Sequence, residues 1–497
     1  QLNAKTLGHA GHPQVQTPHL DRMAREGVRC RNAIAPNPIC TPSRVSFHSG
    51  QYCHNHGYYG LSGRHPEGLP NIFHHFRRHG RLTAAIGKIH CPERWIEDAT
   101  DVFHETCHCS VDGRSPAYSA FLGEREELED HETLPEFGAA GRQSVEGRPS
   151  PLSFAESQEG WIAAEVERSI DRAREEGWAF CIHASLPRPH QCTAPSQEFW
   201  DLYRDVEIEL PPSADADLAA GDQAPHLQAM AATWRTGDWA LIEPTTFAAA
   251  RQRKLRGYLA AVSQVDAAVG RMLATLEERG LVDDTLVVFS ADHGDYACEF
   301  DLMEKAPGIC HDAITRIPML FWGGGVPAGQ VRDHLIHGCD LANTLCARTG
   351  LPPLETADGV DASPLIDHDR PIRDLAVTEF AWSKSVRKGD WRLVYYPRAQ
   401  FADSHPDGFG ELYHLADDPW ELHNRWRDPA CRAIRAELEA DLLDWLITTS
   451  RVRSSLGAEQ SPHGDPAQWQ RRHGVWSNAD GAIAGAHVLA HGHCNYR

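Results

Sequence analysis

Cys40-Thr41-Pro42-Ser43-Arg44 places a thiol four residues ahead of a guanidinium. Proline suits the first position of a helix, and Cys40 or Thr41 its cap, so the segment predicts a helix opening at Pro42. Arg44 stands one helical turn from the cysteine and points back over the sulfur. A cysteine so placed suits covalent catalysis, in which a nucleophile divides one hard step into two easier ones. It equally suits a buried structural thiol. Further on, Lys88 and His90, then His190, then Asp292 and His293 each follow a short apolar run. His104, Cys107, His108 and Cys109 have the types of a zinc set, but their spacing fits no standard zinc pattern. They read as loop residues.

The apolar runs are the elements that must position these groups. Leu82 to Ile86, Trp178 to Ala184, Thr285 to Ser290 and Ile317 to Trp322 read as buried strands. Open α/β sheets bind ligands beyond the carboxyl ends of their strands, so the polar groups that follow can meet in one crevice. Leu255, Leu259, Val262, Val269, Met272, Leu273 and Leu276 recur at helical spacing, which predicts a helix with one face on the sheet and a stop at Gly280. Residues 104–160 are rich in Glu, Gly, Ser and Pro and read as a long surface insertion. The composition changes near residue 370. Beyond it, Leu375 to Phe380, Trp391 to Tyr396 and Glu411 to Leu415 read as strands and Cys431 to Ile447 as a helix. The expected organisation is a catalytic domain over 1–370, a smaller subdomain over 371–449 and a polar tail over 450–497. That tail reads as disordered or as wrapping a partner subunit in a homo-oligomer.

Composition excludes several classes. The 497 residues carry a formal charge of −21, which argues against a nucleic-acid partner. No run of eighteen apolar residues is present, so no membrane span is expected. The 14 cysteines are scattered and form no small-domain disulfide framework. The reading is a soluble protein of a reducing compartment, the cytoplasm ahead of the periplasm or secretion.

The stretch Pro38 to Gly50, with Cys40-Thr41-Pro42-Ser43-Arg44 at its centre, resembles the signature of the type I, formylglycine-dependent sulfatases of the alkaline phosphatase superfamily. His48 and Ser49 depart from the usual choices. Gly80 to His90 resembles the family's G-Y-x-T-x-x-x-G-K-x-H stretch, with Arg81 where an aromatic is common. Ser290-Ala291-Asp292-His293-Gly294-Asp295 resembles its metal-binding turn, followed in order by Lys305 and Arg316-Ile317-Pro318. Leu186-Pro187-Arg188-Pro189-His190, Gln16 to Val28 and Glu411 to Glu421 match further family segments.

The resemblance implies an α/β fold: a large mixed sheet sandwiched by helices, with a smaller C-terminal α+β subdomain. It implies that a formylglycine-generating enzyme or an anaerobic maturase oxidises Cys40 to formylglycine, whose hydrate attacks the sulfur of a sulfate monoester. Arg44 would then hold the formylglycine, Lys88 and Lys305 the sulfate, His90 would serve as base and His190 would meet the leaving oxygen. Asp292 and His293, with the modified Cys40, would bind Ca²⁺, or Mg²⁺ or another divalent cation; His293 could instead orient the sulfate. The substrate would be a small-molecule or saccharide sulfate ester. Gln1 opens where the family has just completed a strand ending in two metal-binding aspartates, so an additional N-terminal strand is expected ahead of it. Two alternatives stand beside the sulfatase reading: a phosphonate or phosphate ester hydrolase of the same superfamily, and a non-catalytic sulfoconjugate-binding protein if Cys40 stays unmodified.

Overall fold

The computed structural model of the chain describes residues 1–61, 68–92, 94–106, 116–123, 147–190, 193–236, 246–302, 304–305, 309–354 and 356–451. Cys107, His108 and Cys109, part of the expected insertion and the tail from residue 452 lie outside them.

Three sets of strands form among the described residues. The first runs in the order β5 (Leu286–Ser290), β6 (Arg316–Gly323), β1 (Val28–Ile34) and β7 (Gln330–His337). It is mixed: β1 is antiparallel to β6 and parallel to β7. The second is parallel, with β2 (Arg81–Gly87) between β3 (Val102–Glu105) and β4 (Ala179–Ser185). β2 and β6 alternate too little to have a wet face, and their residues are buried on both sides, as strands covered by helices must be. Together these elements make the mixed α/β architecture expected.

The long helix Phe247–Glu278 forms with Thr246 capping Ala249 N–H, and Gly280 follows its end at φ 66°. It does not lay a single face on the strands. Most of its residues are buried, and it packs chiefly on helices Gln158–Glu176, Gln197–Asp201 and Pro18–Glu26. The first and last of these in turn contact β4, β2 and β6. The periodic positions therefore marked only part of a helix that is buried over most of its surface, polar residues such as Lys254, Gln264 and Asp266 included.

The region read as a surface insertion is in part core. Tyr118 and Leu122 on helix Pro116–Leu122, and Leu152, are buried in the same apolar cluster as Trp161, Tyr258 and Trp322. Gly, Ser and Pro content reported on its loops and missed these anchors.

A third, antiparallel meander joins β8 (Ala376–Phe380), β9 (Ser383–Lys388), β10 (Trp391–Tyr395) and β11 (Gly410–His414), backed by helix Arg432–Thr449. β9 was not expected, because Ser383-Lys384-Ser385-Val386-Arg387-Lys388 shows one apolar residue in six. Its pairing with β8 and β10 makes it a strand regardless. The meander is tied to the first layers by a buried polar chain. Glu411 accepts from Tyr396 (2.8 Å) and contacts His311 Nε2 (3.3 Å), whose Nδ1 faces Tyr296 Oη (3.3 Å). His311 precedes β6 and Tyr296 follows Asp295, so this chain ends beside the candidate site.

Candidate active site

Helix Cys40–Ser49 starts two residues earlier than the proline position suggested. Ile39 is its extended N-cap, Cys40 its first residue, and Pro42 sits in the first turn, where a missing N–H costs nothing. Nine of its ten residues are buried. Cys40 thus sits at the positive end of a buried helix, with its Sγ marking where the oxygens of an oxidised side chain would stand.

Four segments converge on that atom. At the end of β5, the turn Asp292-His293-Gly294 brings His293 Nε2 to 3.2 Å from Cys40 Sγ. His293 Nδ1 donates to Gly294 O (2.8 Å), which fixes the ring with Nε2 facing the sulfur. Gly294 allows the turn to lie against the chain at Ala313 and Ile314. At the end of β2, Gly87 has φ 104°, and a Cβ there would meet Ser185 O. Only glycine permits this exit, which sends Lys88 into the interior. The loop after β4 brings His190 to hydrogen-bond Cys40. Lys305 Nζ lies 3.2 Å from His190 Nε2 and donates to Gln1 Oε1 (3.0 Å). Lys88 and Lys305 are both buried, so neither is a solvated surface charge.

The electrostatics favour an anion at this spot. Burial alone would raise the Cys40 thiol, but Lys305, Lys88, His293 and the bond from His190 hold it well below its usual range. Burial, then Lys88 and Lys305, push His190 well below its usual range, which favours the neutral ring. Asp292 is buried, and Arg44 and His293 favour its ionised form against that burial.

Arg44 turns back toward the turn after β5 and the loop after β2. Nε donates to Asp292 Oδ2 (2.9 Å), and NH1 reaches Lys88 O and Ser185 Oγ (2.9 Å). His90 is buried on the loop after β2. Its backbone N–H donates to Glu105 Oε2 (2.7 Å), its φ is 47°, and its buried Nδ1 finds no hydrogen-bond partner among the described residues. Three supporting residues escaped sequence reasoning. Ser43 donates to Asp292 O (2.6 Å), Ser185 donates to Lys88 O (2.6 Å), and Glu105 accepts from the N–H groups of Ile89 (3.1 Å) and His90. Ser43 lay inside the motif; the other two carry no local signal.

Cys40, Asp292 and His293 bring one ligand atom each within 4.8 Å of one another, a group able to hold a metal ion. The donor set fits a divalent cation in kind: a carboxylate, an imidazole with Nε2 turned inward and the Cys40 side chain. It supplies fewer donors than the six to eight oxygens of a full Ca²⁺ shell.

A mixed α/β scaffold that gathers a buried cysteine, two lysines, two imidazoles and a carboxylate makes a pocket suited to an anionic ligand. The family model for sulfatases matches residues 1–351, and the chain belongs to the sulfatase family. It is a sulfuric ester hydrolase, of the group that cleaves sulfate esters. It is 27% identical over 459 residues to a choline-sulfatase of Rhizobium meliloti, covering 88% of this chain and 83% of that one. It is 26% identical over 492 residues to a multifunctional alkaline phosphatase superfamily protein of Trinickia caryophylli, covering 89% and 93%. Its fold matches the crystal structure of a phosphonate monoester hydrolase of Agrobacterium radiobacter with a TM-score of 0.72 at 21% identity, covering 89% and 93%. Among the described residues no helix is long and apolar enough to cross a membrane.

Proposed function

We propose that the chain hydrolyses a small-molecule or saccharide sulfate monoester through formylglycine made from Cys40. The observation that carries this reading is the buried cationic pocket around Cys40, which draws that side chain toward its anionic form. In its hydrated form formylglycine supplies two hydroxyls, one to take the sulfuryl group and one to lose a proton so that sulfate is expelled and the aldehyde returns.

The chain's own residues would do the rest. Lys88 and Lys305 compensate the sulfate oxygens from opposite segments. A sulfate bound between them offsets the charges that depress His190, which raises it toward the form that donates to the leaving oxygen. His90, with an unsatisfied Nδ1, is the base for sulfate expulsion. Arg44 braces Asp292 and the Lys88 backbone. Asp292, His293 and the modified Cys40 would hold the cation, Ca²⁺ by family expectation. Bound there, it would compensate charge on the sulfate and acidify the attacking hydroxyl.

The test is mass spectrometry of the Cys40 peptide from a maturing host, with a loss of about 18 Da expected for thiol-to-aldehyde conversion. Cys40→Ala should abolish sulfate ester turnover while preserving the melting transition. An active preparation with unmodified Cys40 would refute the mechanism. A second reading, phosphonate or phosphate ester hydrolysis, is favoured by the likeness to the multifunctional superfamily protein. Relative kcat/KM on aryl sulfates and aryl phosphonates separates the two, and a panel of sulfated sugars, aryl sulfates and choline sulfate defines the substrate.

A further inference from the structure

His190 lies in a loop whose backbone is held from beneath by a carboxylate that touches no candidate catalytic group. Glu159 is the second residue of helix Gln158–Glu176 and is fully buried. Its Oε1 accepts from Arg188 N–H (3.2 Å), and its Oε2 pairs with the Arg188 guanidinium. The same guanidinium reaches across the loop and donates twice to Ala194 O, from Nε (3.1 Å) and NH2 (2.7 Å). Gln264, on the long buried helix, donates to Glu159 Oε2 (2.7 Å) and accepts from Ser196 N–H (2.7 Å). His190 sits inside the segment closed by these bonds, with its N–H on Pro187 O (3.2 Å).

We propose that Glu159 is a positioning residue for His190, acting through Arg188 to hold the imidazole against the leaving oxygen of the substrate. Two features support this. The pair is buried, so its geometry is not averaged by solvent. The guanidinium fork joins Arg188, two residues before His190, to Ala194 O as well as to Glu159, so it fixes the chain on either side of the imidazole. The inference rests on the reading of His190 as the group at the leaving oxygen.

The experiment uses the full chain, matured in a host that converts Cys40, as wild type, Glu159→Gln, Arg188→Lys and His190→Asn. Each is assayed on aryl sulfates of graded leaving-group pKa, from 4-nitrophenyl to 4-methoxyphenyl sulfate. Poor leaving groups need the proton most, so a displaced His190 steepens the dependence of kcat/KM on leaving-group pKa. Glu159→Gln is expected to lower kcat/KM on the poorest leaving group by about tenfold more than on 4-nitrophenyl sulfate. Arg188→Lys, which keeps the charge but loses the fork on Ala194, should steepen the dependence in the same direction. It also serves if Glu159→Gln fails to fold. A merely structural role lowers the folded fraction and scales every ester by one factor, leaving the slope unchanged; that outcome overturns the proposal. If His190→Asn leaves the slope unchanged, the reading of His190 fails and the proposal with it. If His190→Asn steepens it and the other two variants do not, only the proposal fails. Should the wild type prefer aryl phosphonates, the same slope is read on that series, so reaction class and positioning are judged separately.

Discussion

Gly294→Ala should disable the candidate site by forcing apart two segments that the fold holds in contact. A Cβ at Gly294 would lie 1.8 Å from Ala313 O and 2.8 Å from Ala313 C, where real Cβ atoms keep at least 3.0 Å. The turn cannot swing freely, because Gly294 N–H is bonded to Ile314 O at 2.8 Å. Accommodation therefore needs an opening of about 1.2 Å between the turn and residues 313–314, the difference between those distances. Asp292 and His293 ride on that turn, and displacement by ~1 Å at a reacting centre costs about 10²-fold in rate. Overpacking of this kind also lowers stability by about 1–3 kcal/mol. The assay is kcat/KM on an aryl sulfate beside thermal melting, with Gly177→Ala for comparison. Gly177 has φ 71° at a helix end, and nothing lies within 4 Å of its Cβ direction. That variant should lose about 1 kcal/mol for the backbone strain and keep its activity. If Gly294→Ala stays within about threefold of wild-type activity, the turn does not govern the chemistry and the reasoning is wrong.

Two further outcomes follow from the charges. In protein expressed without maturation, Cys40 should titrate well below an ordinary thiol, read as thiolate absorbance against pH, and Lys305→Met should move that titration upward; a titration unchanged by the substitution would contradict the assigned field. The buried pair His54–Glu379 (3.0 Å) should make stability pH-dependent. Burial works to lower His54, but Glu379 outweighs it, so the folded-state value is raised. Its contribution is therefore complete below about pH 6.5 and is lost as pH rises through the raised value. Melting temperature should fall between about pH 6 and pH 9, with a flatter dependence in His54→Gln; equal slopes would remove the pair from the account.

Much of the scaffold was legible because its signals are local. The strands that became β2, β4, β5 and β6 are short apolar runs bounded by polar residues, and each ended within a residue or so of its expected limit. β9 was illegible because a strand between two others is stabilised by its ladder and neighbours, whatever its own side chains. Tyr118 and Leu122 were hidden in a polar region because a few large side chains suffice to anchor a loop-rich segment.

For the site, the sequence by itself determined which chemical groups are present and which family grammar they follow. Cys40, Lys88, His90, His190, Asp292, His293 and Lys305 are readable as types in order, since each follows a recognisable local motif. Only the tertiary structure decided how those groups are used. Arg44 was expected over the sulfur from helical spacing alone, yet its guanidinium ends on Asp292, 248 residues away in the chain. Glu159, Ser185 and Glu105 support the site with no motif at all. Spacing sets a side chain's direction over one turn of helix. Where a long charged group finally bonds depends on which buried acceptors lack a partner, and those arrive from distant segments only when the chain has packed.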